Sequence, residues 1–474
     1  MTFSILFDSL RLASFLLSLL FSFPHAFLAQ NGIEIYPLST WSDTSLITNS
    51  TQVRYSGCWG FTWLDKEYAV LGSTEGSHFF QIDNASLIPV DSVTGDYVSS
   101  QAITREFKYF EPYIFASSDE GTGSFQIIDV SYLPDSVHLI KTFRNDLLAK
   151  VHNQWVDSVN KLLYACSITP FIDPVDGNFV PMRVLDIADP LNPTLIWEGP
   201  EDVFEVHDVF VDTNGIAILN CGYEGLKVLD FSNPSSPIEV QNISVYQDQG
   251  YNHQGSFTKD RKYYIFGDET PGTKLKKAKV DTDFTLNIQN TFGLSNQPYD
   301  KTPHNIVCSK DFAYVAYYND GLRIYDLRND PPTEFAYYDT HQDIVGNTFS
   351  MWGAWGVYRF EGSQNILISD RISGLFLFNF DETKFPLAGN EFIQVFPNPL
   401  LASDKMTVVF PLNSNVLQYC ILDSKGSILY ENYSPLLYEE IDLDLSQGIY
   451  FLRMEYNNAS DEKKFETKKI LVLN

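Results

Sequence analysis

Four of the eight histidines, His152, His207, His253 and His304, recur in the contexts VHNQW, EVHDV, YNHQG and PHNIV. Each lies at a common offset ahead of an aromatic or aliphatic run, such as the YYIF that follows YNHQG. The same offset before three further runs falls on Trp59, Arg105 and Trp355. Imidazoles that converge can offer ring nitrogens to a divalent metal ion, with Asp208, or Asp268 and Glu269, as carboxylate partners. Alternatively, Arg105, the histidines, Trp59 and Trp355 would hold an anionic or sugar-like ligand by charge, hydrogen bonding and stacking. The third reading is architectural: repeated imidazoles bond neighbouring strands and lock one unit to the next. A general base is needed once. A residue type that recurs by register therefore argues for a shared role rather than for one catalytic base.

Other chemistry finds little support. The chain has no GxSxG, HExxH, GxxxxGK[ST] or GxGxxG motif. The loop TPFIDPVDGNF (169–179) carries Asp173, Asp176 and Asn178 but lacks the spacing and terminal glutamate of a calcium loop, and reads as a solvated turn. Five cysteines, Cys58, Cys166, Cys221, Cys308 and Cys420, form neither a disulfide framework nor a zinc knuckle, although one disulfide is compatible with export. The formal net charge of −28 repels phosphate backbones and argues against nucleic-acid binding.

The elements that must position these residues are strands. Tyr and Phe are abundant at 27 and 36 of 474 residues, and Gly, Asn, Asp and Pro punctuate the runs, as in an all-β protein. One pattern recurs seven times at intervals of roughly 40–60 residues: a β-rich run, a tight turn, then a second run ending in Asp or a substitute. Representative copies are YIFASSDEGTGSFQIIDV (113–130), IAILNCGYEGLKVLDF (216–231) and FAYVAYYNDGLRIYDL (312–327). The fifth copy, ending LKKAKV (275–280), is degraded. Short strands upstream and downstream complete four per unit, which predicts a seven-bladed β-propeller over 33–381. The histidine register then starts the first strand of successive blades, at one rim of the central channel. The last copy lacks a fourth strand, and GIEIYPLSTW (32–41) is expected to supply it and close the ring.

Residues 1–29 contain the apolar run LASFLLSLLFSF and read as a signal peptide. No later segment is long and apolar enough to span a bilayer as a helix, so the mature chain is expected to have no transmembrane span. Beyond a linker at 382–391, residues 392–474 alternate in short strands with Ser-Lys-Gly and Ser-Gln-Gly turns, as in a small antiparallel β-sandwich.

Two resemblances sharpen this reading. VFPNP (395–399), DSKGSILYE (423–431), LSQGIYFLRM (445–454) and the terminal KKILVLN (468–474) resemble the type A C-terminal sorting domain of the type IX secretion system. That resemblance implies engagement with the secretion machinery of a Gram-negative bacterium. It also implies removal of the domain, with release of the protein or attachment to surface lipopolysaccharide. The region 33–381 resembles the choice-of-anchor B family, related to LVIVD-repeat propellers, through CWGFTWLDKEYAVLGSTEGSHFFQID (58–83), YNHQGSFTKDRKYYIFGDE (251–269), PHNIV (303–307), GLRIYDL (321–327), GAWGVYRF (353–360) and SDRISGLFLF (369–378). This family implies a fold and a location, not a reaction. The leading expectation is a secreted or cell-surface module that binds a protein or glycan. Its rival is a metal-dependent hydrolase or lyase using the histidine rim.

Overall fold

The computed structural model describes residues 33–121, 124–169, 179–294, 301–341, 351–385, 393–396, 398–401, 405–410, 415–433, 438–457 and 462–473. The signal-peptide region and most of the loop 169–179 therefore lie outside the described residues.

Seven sheets follow one another along residues 33–379, each built on antiparallel strands that run in sequence order from the inside out, except that the N-terminal strands Ile33–Glu34 and Ser39–Trp41 add the outermost strands of the last two. The third is typical: Lys150–Asp157, Leu162–Thr169, Val180–Asp186 and Thr194–Gly199. The second strand of each unit is covered on both faces by neighbouring blades, which explains why it reads as a near-continuous apolar run. Ile216–Asn220, for example, is buried at every position. Outer strands such as Ile238–Ile243 are half exposed. The Asp that closes most third strands has a local task. Asp129, Asp186, Asp230 and Asp326 each accept a hydrogen bond from the backbone N–H two residues on, starting the turn to the fourth strand.

An apolar cluster bridges every consecutive pair of blades. Leu162, Tyr164 and Met182 of blade three pack on Val209, Leu219 and Phe231 of blade four. At the ring closure, Tyr55, Ala69 and Phe80 of blade one pack on Leu367, Leu375 and Leu377 of blade seven. The N-terminal stretch serves two blades. Ser39–Trp41 pairs with Gly374–Asn379 as the fourth strand of blade seven. Ile33–Glu34 pairs in parallel with the outer strand Thr333–Tyr338 and gives blade six a fifth strand. The expected closure thus occurs, with the same segment also covering the edge of blade six.

The degraded fifth copy keeps its place in the ring by pairing charges. Lys276 is fully buried and its ammonium lies 2.9 Å from Asp268, itself fully buried. Lys277 donates to the Leu327 carbonyl of blade six at 3.0 Å and lies over the Tyr263 ring.

Residues 393–473 form two sheets. Gln394–Phe396, Met406–Val409 and Tyr438–Ile441 make one, and Lys463–Leu473, Gly448–Asn457 and Asn415–Leu422 lie at the centre of the other. Met406, Val408, Tyr419, Leu452 and Ile470 fill the space between them. All five cysteines are free thiols.

Candidate functional site

The first strand of each blade lines the axis, and alternation along it sorts side chains into channel wall and blade interior. Glu106 and Lys108, Asn153 and Trp155, Asp208 and Phe210, and Gln254 and Ser256 occupy matching wall positions, with Trp59 and Tyr358 at the same level. Together they enclose a cavity of about 90 Å³. Lys108 places its ammonium 4.0 Å from the centre of the Trp59 ring and 5.9 Å from that of Trp155. Burial depresses the Lys108 pKa, opposed by Asp208 and Glu106. Burial likewise raises both carboxylic acids, Asp208 to about 7 despite nearby Lys108. Asn153 donates to Asp208 at 2.6 Å, tying blade three to blade four.

At the start of these strands the four histidines form one stack. Ring centres are 4.3 Å apart for His152 and His207, 4.2 Å for His207 and His253, and 4.2 Å for His253 and His304. Trp355 of blade seven continues the stack at 4.1 Å from His304. Bulges in the ladder aim the side chains. The register shifts between Asn252 and Gln254, leaving His253 as the extra residue, and between Ala354 and Val357 around Trp355.

Three of the four imidazoles are oriented by a hydrogen bond at Nδ1. His207 Nδ1 donates to the His253 carbonyl at 3.1 Å and His304 Nδ1 to the Trp355 carbonyl at 2.7 Å. His253 Nδ1 is buried without a hydrogen-bond partner. His152 Nδ1 donates to Asp119 at 2.6 Å. These bonds lock blade to blade, and they also leave the Nε2 atoms on a common side. His152 Nε2 lies 2.8 Å from His207 Nε2. Because His207 carries its proton on Nδ1, His152 is the donor of that contact.

Electrostatics divides the four. Burial would depress His152, but the Asp119 carboxylate wins and raises it to about 9. His253 is pushed down to about 3 by burial, reinforced by His152, and burial holds His207 and His304 well below the ordinary histidine range. Three neutral imidazoles therefore sit beside one imidazolium.

The two neighbouring carboxylates part company. Asp268 points into blade five, where it binds Lys276, the Tyr246 hydroxyl at 2.8 Å and the Gly250 N–H at 2.6 Å. Glu269 faces the histidines, 3.7 Å from His253 Nε2 and 3.9 Å from His304 Nε2, and accepts from the Tyr318 hydroxyl. Burial raises its pKa.

Other expected members of the register land elsewhere. Arg105 is buried and donates to the Ser73 and Tyr97 carbonyls of the preceding blade at 2.8 Å each. Trp59 is not equivalent to the histidines. Leu71 pairs with Cys58 as Ala165 pairs with Gln154, so Ser56 holds the histidine position and Trp59 lies three residues deeper in the channel. A bulge between Tyr55 and Cys58 hides this offset from a residue count. Trp355 donates its indole N–H to Glu106. Lys108, Glu106, Trp155 and Asp119 were not singled out by sequence. Strand alternation in EFKYF, which puts Glu106 and Lys108 on one face, was the available signal.

The fold and the axial arrangement define a β-propeller followed by a C-terminal β-sandwich domain, and comparison with known proteins gives both parts a class. Residues 222–245 and 303–340 match the LVIVD repeat, and residues 394–470 match the secretion system C-terminal sorting domain. The chain therefore carries LVIVD repeats in its propeller and a type IX sorting domain as its tail, which marks it as exported to the cell surface or beyond. A similar fold occurs in the crystal structure of an extracellular domain described as that of a hybrid two-component system of B. thetaiotaomicron. The identity is 14%, the TM-score 0.51, and the match covers 92% of this chain and 58% of that one. The chain thus spans less than two thirds of that structure. No curated protein matches the chain. Among the described residues no helix is long and apolar enough to cross a membrane.

Proposed function

We propose that the exported propeller is a binding module, and that it takes a small polar organic ligand in its axial channel. The observation that carries this reading is the wall of the cavity, where the Lys108 ammonium lies over Trp59 among Glu106, Asn153, Asp208 and Gln254. A ligand bearing a carboxylate and hydroxyl or amino groups, such as an amino acid or a sugar acid, complements one cation, several amide and carboxyl groups and flat aromatic faces. Delivery to the surface, followed by loss of the sorting domain and release or attachment to lipopolysaccharide, places such a module where external solutes and glycans are met. The narrower likeness to choice-of-anchor B proteins belongs to the same proposal.

The test is calorimetric titration of the mature propeller, in EDTA, with a panel of amino acids and uronic acids. Lys108→Met serves as the control, with folding verified by circular dichroism. Saturable binding that is lost in Lys108→Met is expected. A protein that binds no member of the panel, or binds equally well without Lys108, overturns the channel as the binding site.

A further inference from the structure

We propose that His207, His253 and Glu269 form a binding site for a divalent transition metal ion of the zinc class, built across blades four and five. One ligating atom from each lies within 4.8 Å of the corresponding atoms of the other two. Donors sharing a tetrahedral zinc ion at about 2.0–2.1 Å are about 3.3–3.4 Å apart. The 3.7 Å between His253 Nε2 and Glu269 is close to that spacing. The other donor pairs lie within 4.8 Å, so side-chain adjustments of up to about 1.4 Å bring in His207.

Three further features fit a metal centre better than a purely architectural lock. First, His207 has its Nδ1–H committed to a backbone carbonyl, which fixes the tautomer and leaves Nε2 as its one nitrogen with a lone pair; that atom accepts from His152 Nε2 here and exchanges this contact for the ion on binding. An interblade lock needs only the Nδ1 bond; it does not require Nε2 atoms to converge on a carboxylate. Second, Glu269 is itself held by the Tyr318 hydroxyl from blade six, so the carboxylate is oriented by a partner of its own. Third, the adjacent Asp268 is wholly occupied with Lys276, Tyr246 and Gly250, which leaves Glu269 as the carboxylate turned toward the imidazoles. Two nitrogens and one carboxylate oxygen with a coordination position left for solvent suit zinc, cobalt or nickel and not calcium or magnesium, which prefer oxygen.

His152 and His304 flank the site without belonging to it. The 2.8 Å between His152 Nε2 and His207 Nε2 is a hydrogen-bond distance, shorter than two donors on one ion adopt. His304 Nε2 lies 3.9 Å from Glu269 on the far side of His253 in the stack.

The experiment is zinc titration of the mature propeller stripped with chelator, with bound metal measured by elemental analysis after dialysis, and parallel loading with cobalt. One zinc per chain is expected, with a cobalt spectrum of the tetrahedral nitrogen–oxygen type. His253→Gln and Glu269→Gln are expected to lose the ion, while His152→Gln and Lys108→Met keep it. Absence of stoichiometric zinc in the wild type overturns the proposal, as does retention of the ion by both His253→Gln and Glu269→Gln. If those variants fail to fold, the wild-type cobalt spectrum decides: an octahedral all-oxygen spectrum overturns the site. No organic ligand is present in this titration and EDTA is present in the calorimetric one, so each proposal can fail without the other.

Discussion

Trp355 and Glu106 stand 249 residues apart in the chain and on blades that are not neighbours, yet the indole N–H donates to the buried carboxyl group at 2.8 Å. Blade one lies between them, and at its bulge the chain carries Gly57, which donates its own N–H to the Arg105 carbonyl at 3.0 Å. The bond therefore spans the blade where the ring closes, and it continues the histidine stack round to blade two.

Trp355→Phe keeps the stacked ring but leaves a Glu106 oxygen without its donor. A buried polar group deprived of its partner costs about 1–3 kcal/mol. The expected outcome is a lower thermal midpoint by a few degrees, read by circular dichroism. A midpoint equal to the wild type would show that the contact is dispensable to ring closure.

Gly57→Ala tests the close approach under that bond. A Cβ at Gly57 falls 2.5 Å from the Arg105 carbonyl oxygen and 2.5 Å from Glu106 Oε2. Backbone cannot retreat cheaply from such a contact, so blades one and two must separate. The variant is expected to express poorly or melt well below the wild type. Gly362→Ala, where no atom lies within 4 Å, is the tolerant control.

Lys276→Met isolates the carboxylate of Asp268 in blade five. Removing one partner of a buried ion pair costs about 3–5 kcal/mol, because the remaining charge is uncompensated. Denaturant unfolding should show a large loss for Lys276→Met and partial recovery in Lys276→Met with Asp268→Asn. Equal stability of the single and double variants would contradict the coupling.

Glu120 supplies a pH dependence. Burial, with Asp119 beside it, raises its pKa from 4.5 to about 7, and one of its oxygens is buried without a partner. A carboxyl group whose folded pKa is raised contributes stability that is fully present below about 4.5 and is lost as pH rises through about 7. Glu120→Gln removes the penalty of ionisation. The variant should therefore gain on the wild type between pH 5 and pH 8, by on the order of 2–3 kcal/mol at the upper end. A constant difference across that range would refute the assignment.

Much of the architecture is local and periodic, and so it was legible. The apolar second strands reflect the same burial between neighbours in every blade, the turn that follows each terminal Asp is a local bond, and the spare strand at 32–41 stands out as an element with no partner beside it in sequence. The tail turns and strands announce the sorting domain in the same way. The recurrence of His152, His207, His253 and His304 was also visible, because identical registers repeat identical contexts.

What tertiary structure alone decided is direction. A bulge adds a residue without any mark in the sequence, so a count could place Trp59 in the histidine register when the ladder puts Ser56 there. Asp268 and Glu269 are adjacent and chemically alike, yet strand geometry sends one to Lys276 inside the blade and the other to the imidazoles. Arg105 looked available until the blade beside it presented the Ser73 and Tyr97 carbonyls. The sequence by itself determined that seven similar units would repeat and that histidines would recur in their inner strands, since each unit's pattern is short-range. Which nitrogens and carboxylates meet on the axis was decided by the packing of neighbouring blades round that axis, because only this packing brings side chains from different blades within a few ångströms.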